Sequence, residues 1–515
     1  MSNGNVGFEA LTPAEWFRRN REVAGFTNPT RAVYQTIREL VENALDATEP
    51  HGILPDIKIV VKMLDENKGL LSIYVEDNGI GIPEDEVPKV FGQVFYSSKY
   101  RIKQHRGIFG LGAKMVVLYA QSTSGQPVRV ISASIGSSYI YSYDISIDTL
   151  RNRPQIHSHV RFENKYGWHG TGVKVTIEGN WQNAKSKVEE YVKRTAMVAP
   201  YANIVLIEPN GTMLRFSRVT TEMPKPPAEG LPHPSGIDLE TLKQMILRSD
   251  DSTILTFLVE NFDGVGEETA HEFLKFAGIR PDKHVKRMKD RELKELVEKM
   301  RAFDKWRRPS ADWLSPIGEE LLVKGIMQVL KPEAAFAVTR KPSAYMGNPF
   351  IVEAAVAWGG GIQPNDKPVL FRFANKVPLL YDEGSDVIKY VLDEIDWSQY
   401  KVKFPAPIAV LVHVCSTKIP YASAGKEAIA DIPEVEREVK LAVQAALRKL
   451  RAYLTRKEKE AELLTKYATL KLYSSEVVSA LSYITKVSEE DLRNRLEELI
   501  EHKIGLDNLQ QEAKP

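Results

Sequence analysis

The pattern of apolar and polar positions is sharpest over residues 30–48. At about 100° per residue, Ile37, Leu40, Val41, Ala44 and Leu45 fall on one side, and Gln35, Glu39, Glu42, Asn43 and Asp46 on the other. This spacing predicts an amphipathic helix, with Asn28 as its cap and Pro29 in its first turn. The polar arc carries carboxylates and amides with no cation among them, a set suited to hold a metal or polarise a water. On this stretch alone an ordinary acidic surface helix is the commoner meaning of the same residues.

Two β-rich runs follow, 57–62 and 71–76, and the turn formers between them predict a hairpin. Further strands are expected at 128–132, 139–147, 159–162, 173–177 and 204–207, with a helix at 184–199. Pro224, Pro226, Pro227, Pro232 and Pro234 then mark a linker. Residues 237–306 read as nearly all helix. A second mixed domain runs over 309–430, with strands at 350–358, 369–373 and 408–414 and a helix at 386–395, an order that predicts a crossover. The apolar stripe Val435, Val439, Ala442, Ala446, Leu450, Tyr453 and Leu454 predicts a long packed helix over 433–467, and short helices after it.

Composition bounds this picture. With 515 residues the length fits roughly three domains. Net charge is only +1, so any polyanion must meet a local patch. Residues 280–308 offer one, with twelve Lys/Arg against six Asp/Glu, although a charged helix surface is the commoner meaning of such a run. Cys415 is the only cysteine, which excludes an intramolecular disulfide and argues against a thiolate metal site. No leader-like or membrane-spanning run is evident, so the expected setting is cytoplasmic, with no membrane contact.

The candidate chemistry lies in four places. The second β-run ends in Asp77-Asn78-Gly79-Ile80-Gly81, where glycines permit close approach of a ligand, and where a plain turn is the simpler reading. Tyr96-Ser97-Ser98-Lys99 precedes a glycine-rich stretch, Gly107-Ile108-Phe109-Gly110-Leu111-Gly112-Ala113-Lys114, which leads into a helix and so presents free N–H groups to a phosphate. Its glycine spacing fits neither the Walker nor the dinucleotide-binding pattern. Gly170-Thr171 stands beside a strand, and Ser423-Ala424-Gly425-Lys426-Glu427 forms a small-residue loop with one lysine.

In order, spacing and residue type these elements resemble the GHKL ATPase superfamily. The lid, the 96–99 run, the helical insert and the Lys426 loop extend the resemblance, over residues 9 to 460, to the B subunits of type IIB DNA topoisomerases. The resemblance implies an α+β architecture: an N-terminal arm (1–27), a GHKL (Bergerat) ATPase sandwich (28–222), a helix-two-turns-helix insert (223–306), an α/β transducer with a long stalk helix (307–466) and a helical tail (467–515). It implies ATP and Mg²⁺ as cofactors. It makes Glu39 the general base and Asn43 the metal holder, and has Asp77 read the adenine amino group, with Thr171 supporting it through water. Ser98, Lys99 and the lid from Gly107 through Ile108, Phe109, Gly110, Leu111, Gly112 and Ala113 to Lys114 enclose the phosphates, and Lys426 reaches the γ-phosphate.

The implied partners are a second copy on ATP binding, with the arm crossing over, double-stranded DNA, and the DNA-cleaving A subunit of an A2B2 heterotetramer, met through the long helix. The chain has no Asp-x-Asp pair, in keeping with an acidic cleavage centre carried elsewhere. A GHKL chaperone or clamp acting on a protein client is the alternative. The basic insert and Lys426 favour the topoisomerase, and the intact Glu39 argues against a dead scaffold.

Overall fold

The structure, a computed structural model, describes residues 10–97, 103–107, 110–423 and 425–504, the last four by backbone alone. The chain forms two compact units, one of residues 1–395 with 404–446, the other of 396–403 with 447–515.

The first unit opens with α1 (Pro13–Arg19), α2 (Pro29–Thr48) and the hairpin β1 (Asp56–Asp65) and β2 (Leu70–Asp77). Next come α3 (Val87–Gly92), α4 (Gly112–Thr123), β3 (Val128–Ala133), β4 (Tyr139–Asp148), β5 (Arg153–Glu163), β6 (Gly170–Glu178), α5 (Trp181–Val198), β7 (Asn203–Ile207) and β8 (Met213–Phe216). The strands form one sheet in the order β5-β4-β3-β6-β2-β1-β7-β8. Along β1, Ile57, Ile59 and Val61 are buried while Lys58 and Lys62 are exposed, the period-two signature of a sheet covered on one face. The cover is α2, α4 and α5, whose apolar sides join those strand residues in one core. Each fully buried Ile, Leu or Val there contributes about 1.5–3 kcal/mol. As expected, Asn28 caps α2, accepting from the Arg31 amide at 2.8 Å, and Pro29 opens it.

The proline-rich stretch leads to four helices, α6 (Leu239–Arg248), α7 (Ile254–Asn261), α8 (Glu267–Ala277) and α9 (Asp290–Ala302), around their own core of Phe257, Phe273, Leu296 and Met300. The basic excess here is partly answered locally: Lys283 pairs with Glu292 and Lys305 with Glu272. A further helix, α10 (Glu319–Leu330), precedes a second sheet of β9 (Ala334–Thr339), β10 (Ser343–Tyr345), β11 (Asn348–Trp358), β12 (Val369–Ala374), β13 (Val377–Pro378) and β14 (Ile408–Ser416). Helix α11 (Val387–Asp393) lies in sequence between β12 and β14, which pair in parallel, so the crossover is present.

Helix α12 (Pro433–Thr485) continues well past residue 467, where the sequence pattern ends it, and α13 (Glu489–Ile504) follows. Its N-terminal part buries Val435, Val439, Ala442 and Ala446, whereas Leu464, Leu472 and Tyr483 in the second unit are exposed. No Gly or Pro interrupts residues 434–485, so nothing in that stretch breaks the helix. Among the described residues of the arm, α1 lies on its own chain, with Ala14 and Phe17 buried and Thr12 bonded to the Thr149 carbonyl.

Candidate active site

A cavity of about 880 Å³ opens in the first unit, with walls that include Glu39, Asn43 and Asp46 of α2, Asp77 at the end of β2, Thr171 of β6, and Lys426. Gly107 and the stretch from Gly110 to Lys114 also line it. The sites picked from separate stretches of sequence thus meet in one place. Ser98, Lys99, Ile108 and Phe109 lie outside the described residues.

Glu39 accepts from Gln35 Nε2, one turn earlier, at 2.7 Å. Its carboxylate lies against the first residue of α4 so closely that a Cβ on Gly112 would stand 1.7 Å from Oε2. Glycine is needed there for space. Lys114 is buried and its ammonium donates to the Gly110 carbonyl at 2.9 Å, tying the lid to the helix it opens.

Asp77 pairs in register with Thr171 across β2 and β6. Its Oδ1 accepts from the Gly79 amide at 2.8 Å and the Thr171 amide at 3.3 Å. Burial pushes the carboxyl up to about 7, against the pull of those two amides. Gly170, at φ +129°, brings the next strand so near that a Cβ would meet the Asp77 carbonyl oxygen at 2.0 Å. Ser132 ties this corner together: its hydroxyl donates to the Gly170 carbonyl at 2.9 Å, accepts from the Ile82 amide at 2.9 Å and lies 3.1 Å from Thr171 Oγ1.

The acidic arc of α2 is less bare of cations than its sequence indicates. Arg38 Nε donates to Glu42 Oε1 at 2.7 Å, so Glu42 is part of a buried ion pair. Arg106 Nη1 reaches Asp46 at 3.1 Å, and its Nη2 reaches Glu49 at 2.6 Å. Burial opposes the charge on both arginines, but Glu42 and Glu427 around Arg38, and Glu49 and Asp46 around Arg106, outweigh it and hold each guanidinium firmly protonated. Sequence reading missed Arg38 and Arg106. The i,i+4 spacing of Arg38 and Glu42 was the available signal for the first; the second comes from a distant segment.

Lys426 takes the left-handed region, at φ +56°. Its neighbour Glu427 turns inward, accepting from Arg38 Nη1 at 2.7 Å.

Residues 28–178 match the family model of histidine kinase-, DNA gyrase B- and HSP90-like ATPases, and residues 309–466 match that of the topoisomerase VI B subunit transducer. The B subunit of type 2 DNA topoisomerase 6 from Pyrobaculum aerophilum is 60% identical over 499 residues, covering 97% of this chain and 94% of that protein. The chain belongs to the topoisomerase VI B-subunit family. The corresponding B subunit from Metallosphaera sedula is 46% identical, at 96% and 94% coverage. Topoisomerase VI B subunits are the ATPase subunits of a type IIB topoisomerase; most of the cavity wall belongs to the residues that match the ATPase model, and Lys426 to those that match the transducer. The second matched region is a topoisomerase transducer, so the chaperone alternative is not favoured. Among the described residues, no helix is long and apolar enough to cross a membrane.

Proposed function

We propose that this cavity hydrolyses ATP with Glu39 as the general base, aligning the water that attacks the γ-phosphate. Asp77 accepts from the adenine amino group through the carboxylate oxygen not bound to the Gly79 and Thr171 amides, and Thr171 assists through water. The lid from Gly107 to Lys114, with Ser98 and Lys99, encloses the phosphates, and Lys426 neutralises charge on the γ-phosphate. Positioning and charge neutralisation are most of what phosphoryl transfer requires, so one carboxylate and several cations and N–H donors suffice.

Asn43 would hold Mg²⁺. The residues present fit that ion: Asn43 lines the cavity beside Glu39 and its side-chain carbonyl is a hard oxygen donor, and Mg²⁺ takes few protein ligands, keeping waters and substrate phosphates. Mg²⁺ supplies charge neutralisation on the phosphates when bound.

The observation that carries this reading is that Lys426, from the transducer region, lines the same cavity as Glu39 and Asp77. A lysine that depends on the γ-phosphate makes the position of its domain depend on nucleotide state. ATP binding then joins two B subunits through their N-terminal modules, and hydrolysis releases them. Such a gate serves strand passage by a double-strand-cleaving A subunit, relaxing supercoils and decatenating DNA, in an A2B2 assembly in the cytoplasm.

We divide the chain accordingly into arm (1–27), ATPase (28–222), helix-two-turns-helix insert (223–306), transducer with stalk (307–466) and tail (467–515). The spans 28–178 and 309–466 of the family matches support that division. The test is to mix the purified protein with its cleavage partner, the A subunit, then measure relaxation of supercoiled DNA. ATP-dependent relaxation is expected, and relaxation of equal rate without ATP would overturn the reading.

A further inference from the structure

The segment that enters the lid, Gln104-His105-Arg106, is held from the transducer region directly at Gln104 and His105 and through Glu49 at Arg106. The Ser315 amide donates to Gln104 Oε1 at 2.7 Å, and Gln104 Nε2 donates back to the Ser315 carbonyl at 3.2 Å. Asn375 Nδ2 donates to the His105 carbonyl at 3.0 Å. Arg106 is bonded to Glu49, and Lys376 reaches the other oxygen of Glu49 at 3.4 Å and Ser315 Oγ at 3.0 Å. Tyr201 completes the cluster with its hydroxyl on Glu49 at 2.8 Å.

Asn375 and Lys376 are the two central residues of the β12–β13 hairpin, where Ala374 pairs with Val377. Both have positive φ, +48° and +66°, as a two-residue hairpin turn of the I′ kind demands. Asparagine is at home there, and glycine is the residue favoured in the second place. This chain instead puts a lysine in that strained position and buries it to 5% exposure, against a desolvation penalty on its ammonium. The turn is also anchored from behind: the Lys376 amide donates to His413 Nε2 at 2.9 Å, and Asn375 exchanges hydrogen bonds with the Ser416 backbone. A side chain kept at such a cost, on an anchored turn, with its charge shared through Glu49 with the residue next to Gly107, is built to transmit position.

We propose that the Asn375–Lys376 turn is the transducer's grip on the base of the nucleotide lid, and that Lys376 is a positioning residue for ATP binding, acting through Glu49 on Arg106. This rests on the coupling read from Lys426 and adds a second linkage, at the lid end of the cavity. Lys426 addresses the bound nucleotide itself, whereas Lys376 governs where the lid begins.

The test is steady-state ATP hydrolysis by the full chain carrying Lys376→Met, Glu49→Gln, the double variant or Lys426→Ala, with Tm alongside. Lys376→Met is expected to raise KM for ATP about tenfold, the scale of an ordinary coupling between sites, with a smaller change in kcat. The double variant should raise KM no further than the worse single variant, because the two act as one unit. A merely structural lysine would lower Tm and leave KM in place, and that result overturns the proposal, as do KM effects that multiply in the double variant. Should Lys376→Met not fold, Glu49→Gln alone decides, and an unchanged KM there overturns it. Loss of turnover in Lys426→Ala with no KM effect at Lys376 sinks this proposal alone. No effect of Lys426→Ala sinks the coupling reading beneath it.

Discussion

Arg38 Nη1 donates to Glu427 Oε1 at 2.7 Å, joining side chains 389 positions apart in the chain. Each flanks a residue with a proposed role, Glu39 on α2 and Lys426 on the transducer loop. The same guanidinium holds Glu42 through Nε, and Arg31 stands 3.9 Å from Glu427. The helix that carries the proposed base is thus bolted to the loop that carries the proposed γ-phosphate lysine.

Removing Glu427 takes away one of the two carboxylates on the buried Arg38 guanidinium, which keeps Glu42. Glu427→Ala should therefore cost about 1–3 kcal/mol of stability, the scale of a lost charge-assisted hydrogen bond. Lys426 would lose its anchored neighbour, so ATP turnover should fall more than nucleotide binding. Denaturant unfolding and ATPase assays check the two halves of this expectation.

Asp77 costs stability at the place where its proposed role is recognition. Its carboxyl is pushed up to about 7 in the folded chain by burial, against roughly 3.9 when unfolded. The folded protein therefore binds the extra proton between those values, and stability falls as pH rises through that window. Asp77→Asn keeps an acceptor for the Gly79 and Thr171 amides without the charge. It should stabilise the fold at pH 8 by on the order of 2 kcal/mol, seen as a raised Tm, with the gain shrinking toward pH 4, while adenine nucleotide affinity drops. Thermal melts across pH and titration with ATP measure both.

Gly112 separates packing from chemistry. Alanine favours a helix over glycine by up to about 1 kcal/mol, but its Cβ would displace the Glu39 carboxylate. Gly112→Ala should leave Tm level or higher while lowering kcat by roughly tenfold or more, the scale of a misplaced catalytic group. Parallel melting and ATPase curves give the answer.

Lys426→Ala should impair hydrolysis and weaken the link between nucleotide and domain position. Small-angle scattering with and without ATP reads the link. Identical nucleotide-dependent changes in variant and native protein would contradict it.

The sequence exposed what is local. The 3.6-residue period of α2 and the alternation of β1 are written in consecutive residues, as are the glycines around Asp77 and before α4. What it hid is what the fold brings together. Asp46 looked uncompensated because its partner Arg106 lies far off in the chain, whereas the partner of Glu42, Arg38, stands four residues away on the same helix and was readable. Strand β9 escaped notice because Ala334-Ala335-Phe336-Ala337-Val338-Thr339 shows no apolar–polar alternation, and only Ala337 in it is fully buried. The extent of α12 was missed because residues 468–485 are rich in Ser, Thr, Val and Tyr, weak helix formers, and only the lack of Gly or Pro marks that the helix continues. Lys376 had a readable cue, an Asn-Lys pair where a hairpin favours Asn-Gly, but nothing in sequence said what the lysine touches.

The role proposed for Glu39 is to activate water in this cavity without being needed to hold ATP. A paired measurement on Glu39→Ala tests it, nucleotide affinity by titration and hydrolysis in a single turnover. ATP should bind within a few-fold of the native protein and still bring two copies together, while hydrolysis falls by at least about 100-fold, as expected on losing a general base. Hydrolysis at the native rate with ATP bound would contradict the account.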